Sequence, residues 1–225
     1  MIYMNRKRQI MQKKKRQNFV MTGVFMLLFV VFTILTKMVD VQPIGPENSN
    51  VGFAAINRFV HEATGVNMIW YQITEWFGVL AILTAFFFAA VGLIQLVQGK
   101  SLRKVDESII ALGIFYILTA VIYVFFEKCI VNYRPILMDG ILEASYPSSH
   151  TMMVTSLLGA AIIESGVLIK NKRLHAIIKI VLIVIIIVTV VGRLISGVHW
   201  FTDIVGGIFI SSALLMGFYS VISEK

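Results

Sequence analysis

Six stretches of the chain are almost uninterruptedly apolar: 19–37, 76–97, 109–126, 151–169, 177–192 and 204–222. Polar and charged residues collect between them. Each run is about 16 to 22 residues long, the length a helix needs to cross a hydrocarbon core of about 30 Å at 1.5 Å per residue. Strands of a membrane barrel would interleave a polar residue at every second position, whereas residues 180–191 are continuously apolar. The pattern therefore predicts an all-α polytopic membrane protein with six transmembrane helices. Residues 1–18 read as a basic leader and 19–225 as a single membrane domain. Between the first two spans, 38–75 contains Pro43, Gly45, Pro46 and a polar run at 47–50, so it is expected to be a turn-rich loop. Within and just beyond it, 59–63 and 68–76 are aromatic and amphipathic enough to lie along the interface. There they would either shape a lipid entrance or simply connect two spans.

Composition agrees with the pattern. Hydrophobic residues make up 58% of the 225 and charged residues only 14%, against roughly 45 to 50% and about 25% in a soluble domain. The formal charge of +8 raises nucleic acid as a partner, but Arg6, Lys7, Arg8, Lys13, Lys14, Lys15 and Arg16 all precede the first apolar run. They read as a topology signal instead. Fifteen of the twenty basic residues lie in that leader, at 100–104, at 170–179 or at Lys225. The positive-inside rule then places both termini in the cytoplasm, which six spans satisfy. A basic segment before an apolar run also opens a signal peptide, yet 19–37 is long for one and no small-residue cleavage site follows. The lone Cys129 excludes an intrachain disulfide, and a packing role is expected for it.

Chemistry gathers in three clusters within 127–203 that this topology puts on one side of the membrane. They are 127–135, with Glu127, Lys128 and Arg134; 146–150, with Ser148, Ser149 and His150; and 192–203, with Arg193, His199 and Asp203. Arg134 and Arg193 present planar forks of donors suited to phosphate oxygens, although arginines beside a span also snorkel to headgroups. The 147–150 segment suits a turn capping the next helix, with free N–H groups that would hold an anion; capping alone is the simpler role for its serines. His199 and Asp203, four apart, would share a helix face, so the carboxylate can orient the ring and leave its other nitrogen free to attack. Metal ligation by that pair is the competing reading. Two arginines repel a divalent cation and welcome an anion, so no metal and no cofactor is expected. His61 and His175 receive no role, and Glu164 is expected in an ion pair or exposed at the interface.

Taken together, Arg134-Pro135, Pro147-Ser148-Ser149-His150 and Arg193-x5-His199-x3-Asp203 resemble the three signature motifs of the type 2 phosphatidic acid phosphatase superfamily, in order and spacing. The resemblance runs over roughly 126–207. It implies a bacterial-type six-span lipid phosphatase in which His199 attacks phosphorus, Asp203 orients it and His150 protonates the leaving oxygen. Arg134, Arg193, Ser148, Ser149 and Lys128 would hold the phosphate. Three positions depart from the family pattern. Glu127 stands where the first motif has lysine, leaving Lys128 one place off. Ser149 replaces a glycine, and Gly192 replaces the serine before the third-motif arginine.

A site at the mouth of a helical bundle suits a lipid phosphate within the bilayer on the extracytoplasmic face. Undecaprenyl diphosphate is the substrate expected by analogy, with phosphatidylglycerophosphate and phosphatidic acid as alternatives. A non-catalytic lipid-phosphate binder or transporter is the rival class, and a channel is disfavoured because spans two to five have few polar faces.

Overall fold

The computed structural model describes residues 2–222, and side chains from residue 12 onward. Lys225 lies outside the described residues, as do the side chains of Arg6, Lys7 and Arg8. Seven helices follow in order: α1 (Ile2–Met38), α2 (Ala54–Thr64), α3 (Met68–Gly99), α4 (Glu107–Lys128), α5 (Ser149–Leu168), α6 (Lys172–Ile195) and α7 (Phe201–Ile222). All but the short α2 are long and apolar enough to cross a membrane. Among the described residues there is no strand, only isolated bridges in loops.

α5 and α7 form the centre. About half of the most apolar stretch of each is buried (56% and 50%), against 6% for α6 and 11% for α1 and α3. Their residues explain this: buried Ser156, Gly159, Ala160 and Ala161 on α5, and Gly206, Gly207, Ser211 and Ala213 on α7, are small enough for neighbouring backbones to approach. The Ser211 hydroxyl donates back to the Gly207 carbonyl at 2.8 Å, so it enters the core without an unpaired group. α1 packs along α7, while α3, α4 and α6 pack on α5. The large side chains these outer helices expose, among them Leu27, Phe86, Ile117 and Ile187, have no place in water but suit lipid.

The helix boundaries correct the sequence reading in informative places. Residues 68–76 are not a separate surface segment; they are the first turns of α3 and run straight into the second span. Asn67 caps that helix, its side chain accepting from the N–H groups of Ile69 and Trp70. The 38–67 segment is more than a connector. Asn57 of α2 is fully buried, donates to the Gly52 carbonyl and the Thr202 hydroxyl at 2.8 and 3.0 Å, and accepts the Thr202 N–H. α2 thus buttresses the start of α7. Cys129 does not pack but ends α4 exposed. Glu164 is wholly buried and accepts a hydrogen bond from Ser108 at 2.8 Å, so interfacial exposure is ruled out.

Up-and-down threading brings the first turns of α3, α5 and α7 and the last turns of α4 and α6 to one end of the bundle. The basic segments at 100–104 and 170–173 lie at the other.

Candidate active site

Each motif reaches that end by a different local device. The 130–146 loop after α4 is pinned by bridges between Tyr133 and Ala144 and between Met138 and Ile141. The Arg134 N–H donates to the Glu143 carbonyl at 3.0 Å, and its Nε pairs with the Glu143 carboxylate at 2.9 Å. This turns the guanidinium inward: Nη1 donates to the Val198 carbonyl and to His199 Nε2, both at 3.4 Å.

Ser148 caps α5. Its hydroxyl accepts the Thr151 N–H at 3.4 Å, and its own N–H donates to the Asp203 carbonyl at 2.9 Å. The capping role expected for Ser148 is therefore filled, and its backbone ties the second motif to the third. In the first turn of α5 the N–H groups of Ser149 and His150 have no intrahelical partner and remain as anion donors.

The third motif spans a turn rather than one helix. α6 ends at Ile195, and Gly197 sits at φ +70°, where a Cβ would fall 2.2 Å from the Gly65 carbonyl oxygen. Only glycine fits there. His199 follows in the turn, and Asp203 lies in the first turn of α7. The pair does not share the helix face that its spacing suggests, but the turn still brings His199 Nδ1 to 3.7 Å from Asp203 Oδ2. That exceeds hydrogen-bond length. The carboxylate instead accepts the Trp200 N–H at 2.8 Å and the Asn132 side-chain amide at 3.4 Å.

Proton positions follow from the arginines. A guanidinium only donates, so His199 Nε2, facing Arg134, carries the lone pair and Nδ1 carries the proton toward Asp203. Burial, reinforced by the positive charge of Arg134 and Arg193, holds the His199 imidazole well below its usual range, against a smaller opposing pull from the Ser145 main chain. The His199 ring is thus neutral.

Arg193 is completely buried. It donates to His150 Nδ1 at 2.8 Å, to Glu75 Oε1 at 3.1 Å and to the Thr74 hydroxyl at 3.2 Å, and lies 4.8 Å from the centre of the Tyr71 ring. A buried charge with this many partners is held, not snorkelling. The same Glu75 oxygen sits 3.2 Å from His150 Nε2. A Cβ on Gly78 would come within 3.0 Å of the His150 ring, so this glycine leaves the ring its space.

His150, His199, Asp203, Arg134 and Arg193 therefore gather, with Ser148 behind them and Ser149 beside His150 in the same cleft. Lys128 does not join. It is exposed at the end of α4, whereas Glu127 lines a small recess with Tyr146 and Ser149. Sequence reasoning missed four contributors. Glu75, Tyr71 and Thr74 fall in the expected loop, which is in fact the start of α3, and Asn132 lies in the first cluster with no pattern to give it a role. Asn67 ahead of the aromatic 68–71 segment was the available signal. Once the cap is recognised, Glu75 becomes an acidic residue inside a span, itself a mark of function.

From this end a groove between α3 and α4, floored by α5, runs down the membrane-facing side. A cleft of about 330 Å³ lined by Glu75, Gly78, Ile82, Tyr123, His150 and Met153 adjoins one of about 260 Å³, with which it shares Ile82 and Met153. That one shares Ala89 and Tyr116 with a third of about 330 Å³ near the far end.

Among curated proteins none matches the sequence significantly. The fold is similar to that described as the crystal structure of the first transmembrane PAP2 type phosphatidylglycerolphosphate phosphatase from Bacillus subtilis. The TM-score is 0.59, at 16% identity, over 91% of this chain and 98% of that one. The sequence pattern of the PAP2 superfamily matches residues 109–225, the half that carries all three motifs. This chain is a multi-span membrane protein that belongs to the PAP2 superfamily and has the fold of its transmembrane phosphatases.

Proposed function

We propose that the protein is a metal-independent lipid phosphatase acting on the extracytoplasmic face through a phosphohistidine. The observation that carries this is two imidazoles and two guanidinium groups converging at the head of an apolar groove. That arrangement takes a phosphate at one end and an acyl or prenyl chain at the other. The distribution of basic residues supports the side, since the site end is opposite the basic end.

In this reading phosphate oxygens take over the donors of Arg134, Arg193 and the Ser149 and His150 N–H groups. Arg134 then leaves His199 Nε2 free to attack phosphorus, while Asp203 stabilises the charge that develops on the ring. The bond from phosphorus to the leaving oxygen breaks as His150 delivers a proton to that oxygen. Water then attacks the phosphohistidine, giving its proton to His150 and releasing phosphate. The buried guanidinium groups stabilise the equatorial oxygens in both steps. Lys128, exposed at the end of α4, takes no part, and the phosphate is bound without it.

Undecaprenyl diphosphate is the substrate we favour by analogy, and the apolar clefts below the site would accommodate part of its prenyl chain. Phosphatidylglycerophosphate is the second reading, favoured by the similarity in fold to the Bacillus subtilis phosphatase described as acting on that lipid. Phosphate release in detergent with chelator, from a panel that includes both lipids and phosphatidic acid, tests the proposal. His199→Ala and His150→Ala are each expected to lose about 10²-fold or more. Wild type that releases no more than His199→Ala would favour a binder or transporter.

A further inference from the structure

His199 is not the only imidazole at this site with a carboxylate behind it. Glu75, from the second span and outside every motif, places Oε1 3.2 Å from His150 Nε2 and 3.1 Å from Arg193 Nη1. Arg193 donates to the other ring nitrogen at 2.8 Å. A guanidinium cannot accept, so Nδ1 holds the lone pair and the Nε2–H points at Glu75. The ring is fixed in one tautomer, with Nδ1 facing the arginine that would hold phosphate.

We propose that Glu75 is a positioning residue for His150, the counterpart for the proton donor of what Asp203 does for the nucleophile. When phosphate draws the Arg193 fork away, His150 Nδ1 is left facing the leaving oxygen. Nδ1, freed of the arginine, takes up a proton from solvent; the carboxylate on Nε2 stabilises the resulting imidazolium, which gives that proton to the leaving oxygen, and keeps the ring aimed when the same nitrogen regains a proton from the attacking water. No atom of Glu75 enters the bond changes. The other charged or titratable groups around His150 are Arg193, Arg134, His199 and Tyr123; Glu75 is the one anion in contact with the ring among the described residues. The position also explains why a carboxylate is tolerated beside a phosphate site: it offsets the completely buried Arg193 until substrate arrives.

This inference rests on the phosphatase reading, and a dependence on the leaving group separates the two. A proton donor matters most when the departing oxygen is basic. A residue that merely neutralised Arg193 or held the fold would affect all phosphate esters alike. The full chain in detergent is assayed on a short alkyl phosphate and on 4-nitrophenyl phosphate, as wild type, His199→Ala, Glu75→Gln and Glu75→Asp. Glu75→Gln is expected to lower kcat on the alkyl ester by roughly 10- to 100-fold and to lower it several-fold less on the aryl ester. Glu75→Asp should recover part of the alkyl loss. Equal losses on both esters, a loss confined to KM, or no loss would overturn the proposal. Should Glu75→Gln fail to unfold cooperatively, Glu75→Asp alone decides by the same comparison. Wild type no more active than His199→Ala on both esters would sink the phosphatase reading first, and this inference with it.

Discussion

His199, the nucleophile we propose, combines two features that usually conflict, burial and the need to react. The conflict is resolved by keeping the ring neutral: burial disfavours the imidazolium, and so does the surrounding positive charge. In histidine-labelled protein in detergent, one ring is therefore expected not to titrate as pH falls from about 7.5 to about 5, and its signal should vanish in His199→Ala. A His199 resonance moving with a midpoint near 6.5 would contradict the burial. The sign for stability follows. In the unfolded chain this ring protonates near 6.5 while in the folded chain it resists, so its contribution is complete above that pH. It is lost as pH falls toward the lower folded value.

Turns between helices do the positioning, not helix faces. The spacing of His199 and Asp203 suggested one helical face, yet the chain breaks helix at Ile195 and restarts at Phe201. The pair meets across a capped turn made possible by Gly197. Replacing Gly197 with alanine combines an unfavourable backbone conformation with a clash against the backbone of Gly65. The expected cost is about 2 kcal/mol or more, seen as a lower unfolding midpoint in detergent together with lost turnover. An unchanged midpoint would mean that the turn is not held as described. α3 makes the same point at its other end. Because Asn67 starts the helix early, Tyr71, Thr74 and Glu75 are stacked on successive turns beside Arg193 instead of trailing through a loop.

Across the bundle, six apolar runs specify how many times the chain crosses the bilayer, and up-and-down threading alone brings the motifs to one end; the bias of basic residues supports the proposed side. Cys129, the chain's one cysteine, is exposed at that end. In intact cells or spheroplasts a membrane-impermeant maleimide is expected to label it from outside. Labelling only after permeabilisation would invert the proposed orientation. Between α3 and α4 the bundle leaves apolar clefts, the uppermost of which is lined by His150.

Much of this protein was legible from its residues in order. Hydrophobic run length specifies spanning helices because unsatisfied backbone groups are so costly in lipid. Charge asymmetry supports the proposed orientation, and the motifs name His150, His199, Asp203, Arg134 and Arg193. Contacts between residues far apart in the chain were not legible. Glu75 meets His150 and Arg193 across 75 and 118 positions, and Asn132 meets Asp203 across 71. No local pattern encodes such pairings, because they depend on how helix ends are brought together by packing. Lys128 shows the converse: a cation of the expected type near the expected place, left exposed outside the cluster of the other candidate residues because one residue along a helix rotates a side chain by about 100°.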